Sequence, residues 1–502
     1  MNQTATTWVP DLPGLEMHLE SKVSNEDALL MLASDDRHRL LVILTRPEDP
    51  LPDGFRGERT ERDGQVLLLG PTDHTNAVAL RAALPGLRPR PLGAQTSVGM
   101  GDRLGVATPG HVRAALSVSR KSGGRALAPI FAQQSIREMS RAGRTPDDVL
   151  DDATWGAFQE GWRDRLGADA DHLKTVADVD TCVAAGFTLF TIDPGEHVEA
   201  SADTLDEATV RDRYAALPWS ELESSPNGLL GCYAGRHFDL EDRRIVLNEE
   251  ELIRAAVKYG RAVAQVAGMY RHLAAIRPPD GFEFEVSVDE TPSPTSHAEH
   301  YYVARELARL GVRWVSLAPR FVGRFEKGVD YLGDLADFER DFAGHAAIAR
   351  CMGPYKLSLH SGSDKFSIYG IAAEHARGLL HLKTSGTSYV EALRTIAYVA
   401  PGLFRQIYDL AVLRYESDRM SYHVSADLRR VPPSSGLADA DLPGCLDVFD
   451  TRQVLHVTFG SVLAAERGLR TPLLDTLRQH SAEYRAILEH HFARHLAPLA
   501  SG

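Results

Sequence analysis

Short runs of apolar residues, bounded by turn-forming residues, recur along the whole chain. Within the first 92 residues, the runs Leu40–Leu44 and Val66–Leu69 predict buried strands, and the Ala- and Leu-rich stretch Asn76–Leu84 predicts a helix. Three prolines within Pro85–Leu92 indicate a linker at the end of this part. We therefore predict an N-terminal α/β extension over residues 1–92.

From residue 93 onward, strand-like runs alternate with longer helical stretches such as Glu299–Leu310 and Asp334–Met352. This alternation predicts parallel βαβ units, in an open doubly wound sheet or in a closed barrel. No Gly-x-Gly-x-x-Gly turn follows an early strand, which argues against the open Rossmann-type sheet. The nine predicted strands are Thr96–Gly101, Leu127–Ala132, Ala168–Thr175, Phe187–Asp193, Phe282–Asp289, Val312–Ala318, Tyr355–Ser361, Leu379–Thr384 and Ser421–Ala426.

A closed (β/α)8 barrel needs one strand fewer than these candidates, so we treat one of them as an outlier. The predicted fold class is α/β, with a (β/α)8 TIM-like barrel over residues 93–502 that follows the N-terminal α/β extension. The acidic segment near residues 195–251 shows little periodicity at its start. Long segments between barrel elements are usually functional or mobile, and we predict an insertion or lid there.

Five of the predicted strands carry a polar stripe opposite an apolar one. Alternate side chains of a strand share a face, and the apolar face of a barrel strand packs beneath the helices. The polar stripe therefore faces the lumen, where unpaired charged groups cost several kcal/mol each unless they pair, bind a metal or bind substrate. The stripes contain His172 and Lys174; Glu283, Glu285, Ser287 and Asp289; Lys356, Ser358 and His360; His381 and Lys383; and Ser421, His423 and Ser425.

Three of these histidines, His172, His360 and His381, have the ligand type for a divalent metal, with Glu285 nearby. Imidazole and carboxylate donors together suit zinc, iron, nickel or manganese. The alternative for each histidine is a hydrogen-bonded position in the core. The predicted ligands lie far apart in the sequence, so only the predicted barrel brings them together.

Basic residues of the same barrel predict how an anion is bound. Arg320, Lys356 and Lys383 converge in the predicted lumen, where they form a pocket for an anionic substrate or ion pairs with Glu283 or Asp289. The loop Ser361–Ser367 follows a strand directly, and its backbone N–H groups either approach an anion or form a plain turn with a helix cap. The stretch Asp193–His197 is a reserve site for metal binding or proton transfer.

Composition narrows the class of protein. With 43% hydrophobic and 25% charged residues among 502, the chain is typical of a globular enzyme. Its net charge of −14 argues against binding of nucleic acid or of an anionic membrane. The four cysteines form no CxxC pair, Met1–Gly14 contains no secretory signal pattern, and no apolar stretch is long enough to cross a bilayer. These features predict a cytoplasmic protein.

Several long motifs resemble one known family. These motifs are Gly167–Lys174, Glu285–Thr291, Ser316–Asp330, Lys356–Tyr369 and His381–Tyr389. They resemble the tagaturonate/fructuronate epimerase family, and the likeness runs from about Val98 to Asp427. The resemblance implies a metal-dependent sugar-acid epimerase of hexuronate catabolism that acts on a small anionic sugar acid.

The chemistry of that reaction fits the predicted residues. The two ketohexonates differ at a hydroxyl-bearing carbon β to the ketone, where no adjacent carbonyl stabilises a carbanion. A retro-aldol cleavage and re-addition avoids this problem, and it requires a Lewis acid, a proton-transfer residue and a cation for the carboxylate. We assign the metal to His172, His360 and His381, proton transfer to Asp171 and Glu285, and substrate anchoring to Arg320, Lys356 and Lys383.

The role assigned to Asp171 depends on where its strand ends. Strict alternation turns its side chain away from that of His172, so it takes part only if the strand has ended there. Two other functions are open from the sequence. A class II-type aldolase would use the same metal and release two fragments, and a non-catalytic sugar-acid binding protein would use the barrel as a scaffold.

Overall fold

The computed structural model describes residues 12–24, 28–35, 38–62, 64–123, 127–241, 243–464 and 468–501. Residues 1–11, which make up most of the segment predicted to lack a secretory signal, lie outside these ranges. None of the helices in the described ranges combines the length and the apolar composition that a bilayer crossing requires.

The N-terminal part is an antiparallel five-stranded sheet with the strand order β1-β2-β3-β5-β4. Both predicted strands are present as β3 and β5, and three further strands join them. The predicted N-terminal helix runs from His74 to Ala83 and begins at the capping residue Asp73, whose side chain accepts the Asn76 N–H. The strands are β1 (Glu16–Ser24), β2 (Ala28–Ser34), β3 (Arg39–Thr45), β4 (Glu58–Arg62) and β5 (Gln65–Pro71).

Eight parallel strands then close into a barrel in chain order, and the predicted (β/α)8 fold is confirmed. Their side chains are buried except for that of His172, which is partly buried, as expected for strands enclosed by helices. The barrel strands are β6 (Ser97–Met100), β7 (Ala128–Ser135), β8 (Gly167–Leu173), β9 (Leu189–Ile192), β12 (Glu283–Ser287), β13 (Ser316–Ala318), β14 (Lys356–Leu359) and β15 (Leu380–Thr384). A separate hairpin is formed by β10 (Arg236–Leu240) and β11 (Arg243–Leu247).

Helices connect the strands and surround the barrel. The two helices predicted from Glu299 and Asp334 are present as α9 and α10, and each begins after a capping side chain, Ser296 and Asp334 respectively. The helices are α1 (His74–Ala83), α2 (Thr108–Lys121), α3 (Ile136–Ala142), α4 (Pro146–Gln159), α5 (Val176–Ala185), α6 (Glu207–Ala215), α7 (Pro226–Tyr233), α8 (Glu249–Ile276), α9 (His297–Arg309), α10 (Leu335–Met352), α11 (Tyr369–Ala376), α12 (Thr387–Val399), α13 (Pro401–Asp418), α14 (Phe449–Val457), α15 (Phe459–Leu463), α16 (Arg470–Gln479) and α17 (Ser481–Ser501).

Ion pairs join the added segments to the barrel. Arg81 of α1 donates to Asp151 of α4 at 2.8 Å, which joins the N-terminal sheet to the barrel. Between β9 and α8, the chain forms α6, α7 and the β10–β11 hairpin. Lys258 of α8 holds this segment through Asp203, at 2.9 Å, and contacts Glu299 of α9 at 2.8 Å.

The ninth predicted strand, Ser421–Ala426, is wrong. The segment contains no strand and instead crosses the mouth of the barrel after α13. Its polar positions do not face the lumen from a sheet; the Ser425 hydroxyl donates to Glu326 at 2.7 Å, in the segment after β13. The eight strands already satisfy each other in a closed ring, so no sheet edge is open to a ninth.

Candidate active site at the mouth of the barrel

The parallel register places the predicted site residues in layers. Ser358 of β14 pairs with His381 of β15, so His360 lies one layer above His381 and level with Lys383. Active sites of such barrels form at the carboxyl ends of the strands. His360 therefore lies at the mouth, and His381 lies in the layer beneath it.

An irregularity in β8 brings two consecutive side chains to the mouth. The pairing of β8 with β9 shifts between Ala170 and Leu173, and His172 adopts a positive φ of 52°. A positive φ is uncommon for a residue other than glycine and often marks a functional position. Asp171 and His172 consequently both reach the site, although the strand has not ended at Asp171 as our prediction required.

The donor atoms of Asp171, His172 and His360 lie within 4.8 Å of one another. The two imidazole rings meet edge to face, with their centroids 4.9 Å apart. Each of the two rings also has a carboxylate neighbour outside this group of three. Asp193 Oδ2 lies 3.3 Å from His172 Nδ1, and Glu285 Oε1 lies 2.5 Å from His360 Nε2.

His360 has a second carboxylate neighbour, since Asp289 Oδ1 lies 3.3 Å from its Nδ1. Beside the histidines, Lys383 is surrounded by carboxylates. Its Nζ lies 2.7 Å from Asp171 Oδ1, 2.7 Å from Glu285 Oε1 and 3.0 Å from Asp169 Oδ2. These partners differ from Glu283 and Asp289, the ion-pair partners that the sequence suggested for the basic residues.

The lower layer holds the remaining predicted residues. His381 Nδ1 lies 2.9 Å from the Ser97 hydroxyl, to which Lys356 Nζ donates at 3.1 Å. His381 Nε2 is 3.8 Å from Asp169 Oδ2. His381 belongs to none of the donor clusters found among the described residues, so the structure brings together two of the three predicted ligand histidines, not all three.

The charges of the site depend on one another. Burial opposes protonation of His172, yet Asp171 and Asp193 raise its pKa to about 9. Burial and the nearby Lys383 likewise oppose protonation of His360. Asp289 and Glu285 outweigh both and raise its pKa to about 10. In return, the neighbouring cations hold the pKa values of Asp171 and Glu285 below the usual range although burial acts against this. The site thus concentrates ionised carboxylates around two imidazoles.

A cavity of about 370 Å³ opens above this cluster. Of the residues assigned to metal binding, proton transfer or substrate anchoring, three line it: His172, His360 and Arg320. The other five, Asp171, Glu285, His381, Lys356 and Lys383, do not. No described residue of segment 195–251 lines the cavity either. Other lining side chains are Arg137, Arg324, Lys327, Glu290, Tyr422 and His423.

Sequence reasoning missed the basic residues Arg137, Arg324 and Lys327. Arg324 and Lys327 lie within the family-like motif Ser316–Asp330, after β13, and Arg137 lies two residues after the end of β7. Their positions after the carboxyl ends of strands were the signal that could have identified them as residues of the mouth. Asp169 was missed although it alternates with Asp171 along β8.

The loop after β14 is a turn whose backbone N–H groups donate hydrogen bonds to other side chains of the protein. The Asp364 N–H donates to His495, the Lys365 N–H to the Tyr369 hydroxyl, and the Ser367 N–H to Asp330. Since these N–H groups already have acceptors, they are not directed at an anion. The Asp193–His197 stretch contributes Asp193, which orients His172.

Comparisons with known proteins agree over nearly the whole chain. A profile of the tagaturonate epimerase family matches residues 19–499. A tagaturonate/fructuronate epimerase of Thermotoga maritima is 42% identical over 486 residues, which cover 96% of each chain. The crystal structure of a fructuronate-tagaturonate epimerase from Cohnella laeviribosi, in native form, superposes with a TM-score of 0.89 at 35% identity and covers 97% of each chain. A crystal structure of the same enzyme with glycerol gives the same TM-score and identity and covers 97% of this chain and 96% of that one.

Proposed function

The chain belongs to the tagaturonate epimerase family and is an isomerase, and on this premise we propose that it interconverts D-tagaturonate and D-fructuronate at the barrel mouth. One observation carries the proposal beyond family membership. A cluster of two imidazoles and several carboxylates lies beneath a cavity lined by Arg137, Arg320, Arg324 and Lys327. This arrangement suits a small, polyhydroxylated anion.

The donor set fits a divalent metal ion. His172 and His360 would hold it, with the Asp171 carboxylate within 4.8 Å of both. Asp193 is placed to accept the Nδ1–H of His172 and so to direct Nε2 toward the site, the arrangement common among metal-binding histidines. When bound, the ion supplies Lewis acidity that stabilises negative charge developing on substrate oxygens. His381, predicted as a third ligand, lies in the layer beneath and is not part of this proposal.

Asp171 is the residue that we propose to accept the proton of the substrate hydroxyl. Lys383 and Gln133 hold its two oxygens at 2.7 and 3.0 Å, which keeps the carboxylate ionised and oriented. Loss of the proton allows the carbon–carbon bond to break, which gives an enediolate and an aldehyde. The aldehyde turns, the bond re-forms on its other face, and Asp171 returns the proton.

Glu285 is the second residue in proton transfer. It shares Lys383 with Asp171, and its Oε2 is buried without a hydrogen-bond partner among the described residues. The two carboxylates therefore lie beside one ammonium group, which keeps both ionised and able to accept a substrate proton. Arg320, together with Arg324 and Lys327, binds the substrate carboxylate, whereas Lys356 and Lys383 hold the protein's own polar groups in place.

The test combines product analysis with metal removal. Incubation with D-tagaturonate should give D-fructuronate as a six-carbon product in an NMR assay. Two smaller fragments would indicate an aldolase, and binding without turnover would indicate a non-catalytic protein. Treatment with EDTA should abolish turnover and addition of a divalent metal should restore it, whereas full activity of the metal-free protein would contradict metal dependence.

A further inference from the structure

A second group of histidines lies outside the barrel, between α9 and α10. His297 is the first residue of α9, and Asp341 and His345 lie one turn apart on α10. His345 Nε2 lies 3.5 Å from Asp341 Oδ1, and His297 Nε2 lies 3.7 Å from the same oxygen. We propose that these three residues form a binding site for a divalent ion of the zinc type, separate from the barrel mouth.

The spacing of the donors fits such an ion. Bonds of about 2 Å in a tetrahedral arrangement separate neighbouring donors by roughly 3.3 Å. The observed separations of 3.5 and 3.7 Å are close to this value, and all three donor atoms lie within 4.8 Å of one another. One carboxylate and two imidazoles, with water as a fourth ligand, form a common zinc ligand set.

Neighbouring groups hold two of the ligands in the orientation that an ion needs. The Val322 N–H donates to Asp341 Oδ2 at 3.0 Å, which leaves Oδ1 directed toward the histidines. His345 Nδ1 lies 2.8 Å from His300 Nδ1, and His300 Nε2 lies 2.7 Å from the Tyr355 hydroxyl. This series of hydrogen bonds occupies the Nδ1 atom of His345 and leaves its Nε2 atom for an ion, as is usual for a metal-binding imidazole.

The other nitrogen of His345 is the strongest sign of a missing ligand. The side chain is fully buried, and its Nε2 has no hydrogen-bond partner among the described residues. A buried polar atom without a partner costs about 1–3 kcal/mol, and polar groups in native proteins rarely remain in that state. An ion between His345 and Asp341 would satisfy this nitrogen.

A glycine makes room for the third ligand. A Cβ at Gly344 would lie 2.2 Å from the Cε1 and Nε2 atoms of His297, so only glycine lets this ring rest on the backbone of α10. The His297 side chain is 36% exposed, which gives an ion and its water ligand access from solvent. In the structure, its Nε2 lies 3.0 Å from the Asp341 carbonyl, a hydrogen bond that the ion would replace.

The proposed ion would brace one wall of the active site from behind. Val322, which holds Asp341, belongs to the segment after β13, and the ring of its neighbour Phe321 packs on His345 at a centroid distance of 5.4 Å. Phe321 and Arg320 line the mouth cavity. The ion would therefore tie α9, α10 and this segment together without contacting substrate.

Calorimetric titration of the metal-free protein with Zn²⁺ tests the proposal. In a His172→Ala/His360→Ala background, which removes the ligands proposed at the mouth, one equivalent of Zn²⁺ should still bind. Addition of His297→Gln, which keeps a hydrogen-bond donor but is a poor ligand, should weaken this binding at least about tenfold. Gly344→Ala should weaken it too, because it displaces the His297 ring.

His375→Ala is the matched control, since His375 pairs with Glu339 at 3.0 Å and belongs to no three-donor group among the described residues. It should leave Zn²⁺ binding unchanged. Circular dichroism and melting curves check that each variant is folded. The proposal is overturned if the double variant binds no Zn²⁺, or if folded variants at His297 and Gly344 bind it as before. Neither result bears on the metal at the mouth, which the wild-type activity assay tests separately.

Discussion

Among the described residues, two of the three clusters that combine one aspartate with two histidines differ in their surroundings. At the barrel mouth, Asp171, His172 and His360 lie beneath an open cavity. In the loop after β14, Asp364 lies beside His491 and His495 of α17, and the donor atoms of these three also lie within 4.8 Å of one another. Residue types and spacing therefore do not separate a chemical site from a structural one.

The difference lies in what the donor atoms already contact. Asp364 accepts hydrogen bonds from His491 Nε2 at 2.7 Å and from Arg452 at 3.0 Å, and His495 Nε2 accepts the Asp364 N–H at 3.0 Å. These contacts tie the cluster to Arg452 and to its own loop, and none of Asp364, His491 and His495 lines the mouth cavity. The cluster fastens α17 to the loop after β14, whereas the mouth cluster faces a cavity.

The largest effect is expected at the mouth. His360→Ala should lower epimerase turnover roughly 10³-fold, because it removes a proposed metal ligand together with the partner of Glu285 and Asp289. It should also remove the metal bound at the mouth. Steady-state kinetics and metal analysis measure both effects. His272→Ala, at a surface histidine 2.6 Å from Asp180, is the control and should change neither. If the His360→Ala variant retained activity, the mouth cluster would have no catalytic role, and the comparison with the Asp364 cluster would fail.

The opposite result is expected for the cluster around Asp364. Asp364→Asn should destabilise the fold by about 3 kcal/mol, since it leaves the buried Arg452 with a weaker partner, while turnover per folded molecule stays unchanged. Asparagine tolerates the positive φ of 62° at this position, so the variant isolates the loss of charge. Urea denaturation gives the free energy of unfolding. Normal stability with lost turnover would place this cluster in the chemistry.

The same cluster should respond to pH. Burial lowers the pKa of His495 to about 3, below the value of 6.5 expected in the unfolded chain. A lowered pKa in the folded state gives stability that is present above pH 6.5 and is lost as the pH falls toward 3. His495 should therefore contribute a loss of about 2 kcal/mol between pH 7.5 and pH 5.

A His495→Gln variant checks this contribution. Its free energy of unfolding should fall less steeply over the same pH interval than that of the wild-type protein, as measured in urea at several pH values. Equal slopes in the two proteins would show that His495 titrates normally and that its burial is not what shapes the acid response.

The smallest effect is expected one layer below the mouth. His381→Asn should leave the metal content unchanged and lower turnover less than about tenfold, because His381 contacts Ser97 and lies apart from the donor cluster. Metal analysis beside kinetics separates the two quantities. Loss of metal from this variant would restore His381 as a ligand and contradict the layer assignment.

Alternation of strand-like runs with helical stretches predicted the barrel, and alternation of polar and apolar positions predicted the faces of its strands. All eight barrel strands were found, and Glu285, His360 and Lys383 were correctly expected on the lumen side. The pattern gives the face of a strand but not the height of each residue along the barrel axis. Height depends on the stagger between strands, and this is why His381 was grouped with His360.

Other differences come from contacts that a local pattern does not contain. The sequence Ala28–Ser34 is rich in Ala, Leu and Met, which favour helices, but pairing with β1 and β3 makes it a strand. The Ser421–Ala426 alternation has no open sheet edge to join. The irregularity at His172, which brings Asp171 to the mouth, leaves no mark in the residue pattern.

This irregularity means that the proposed base and a proposed ligand are adjacent residues of one rigid strand. Their separation is fixed by a single stretch of backbone, not by two loops that must meet. Motion of the segments across the mouth would then alter the entry and release of a sugar acid, while the distance between the proposed base and the proposed ligand stays constant.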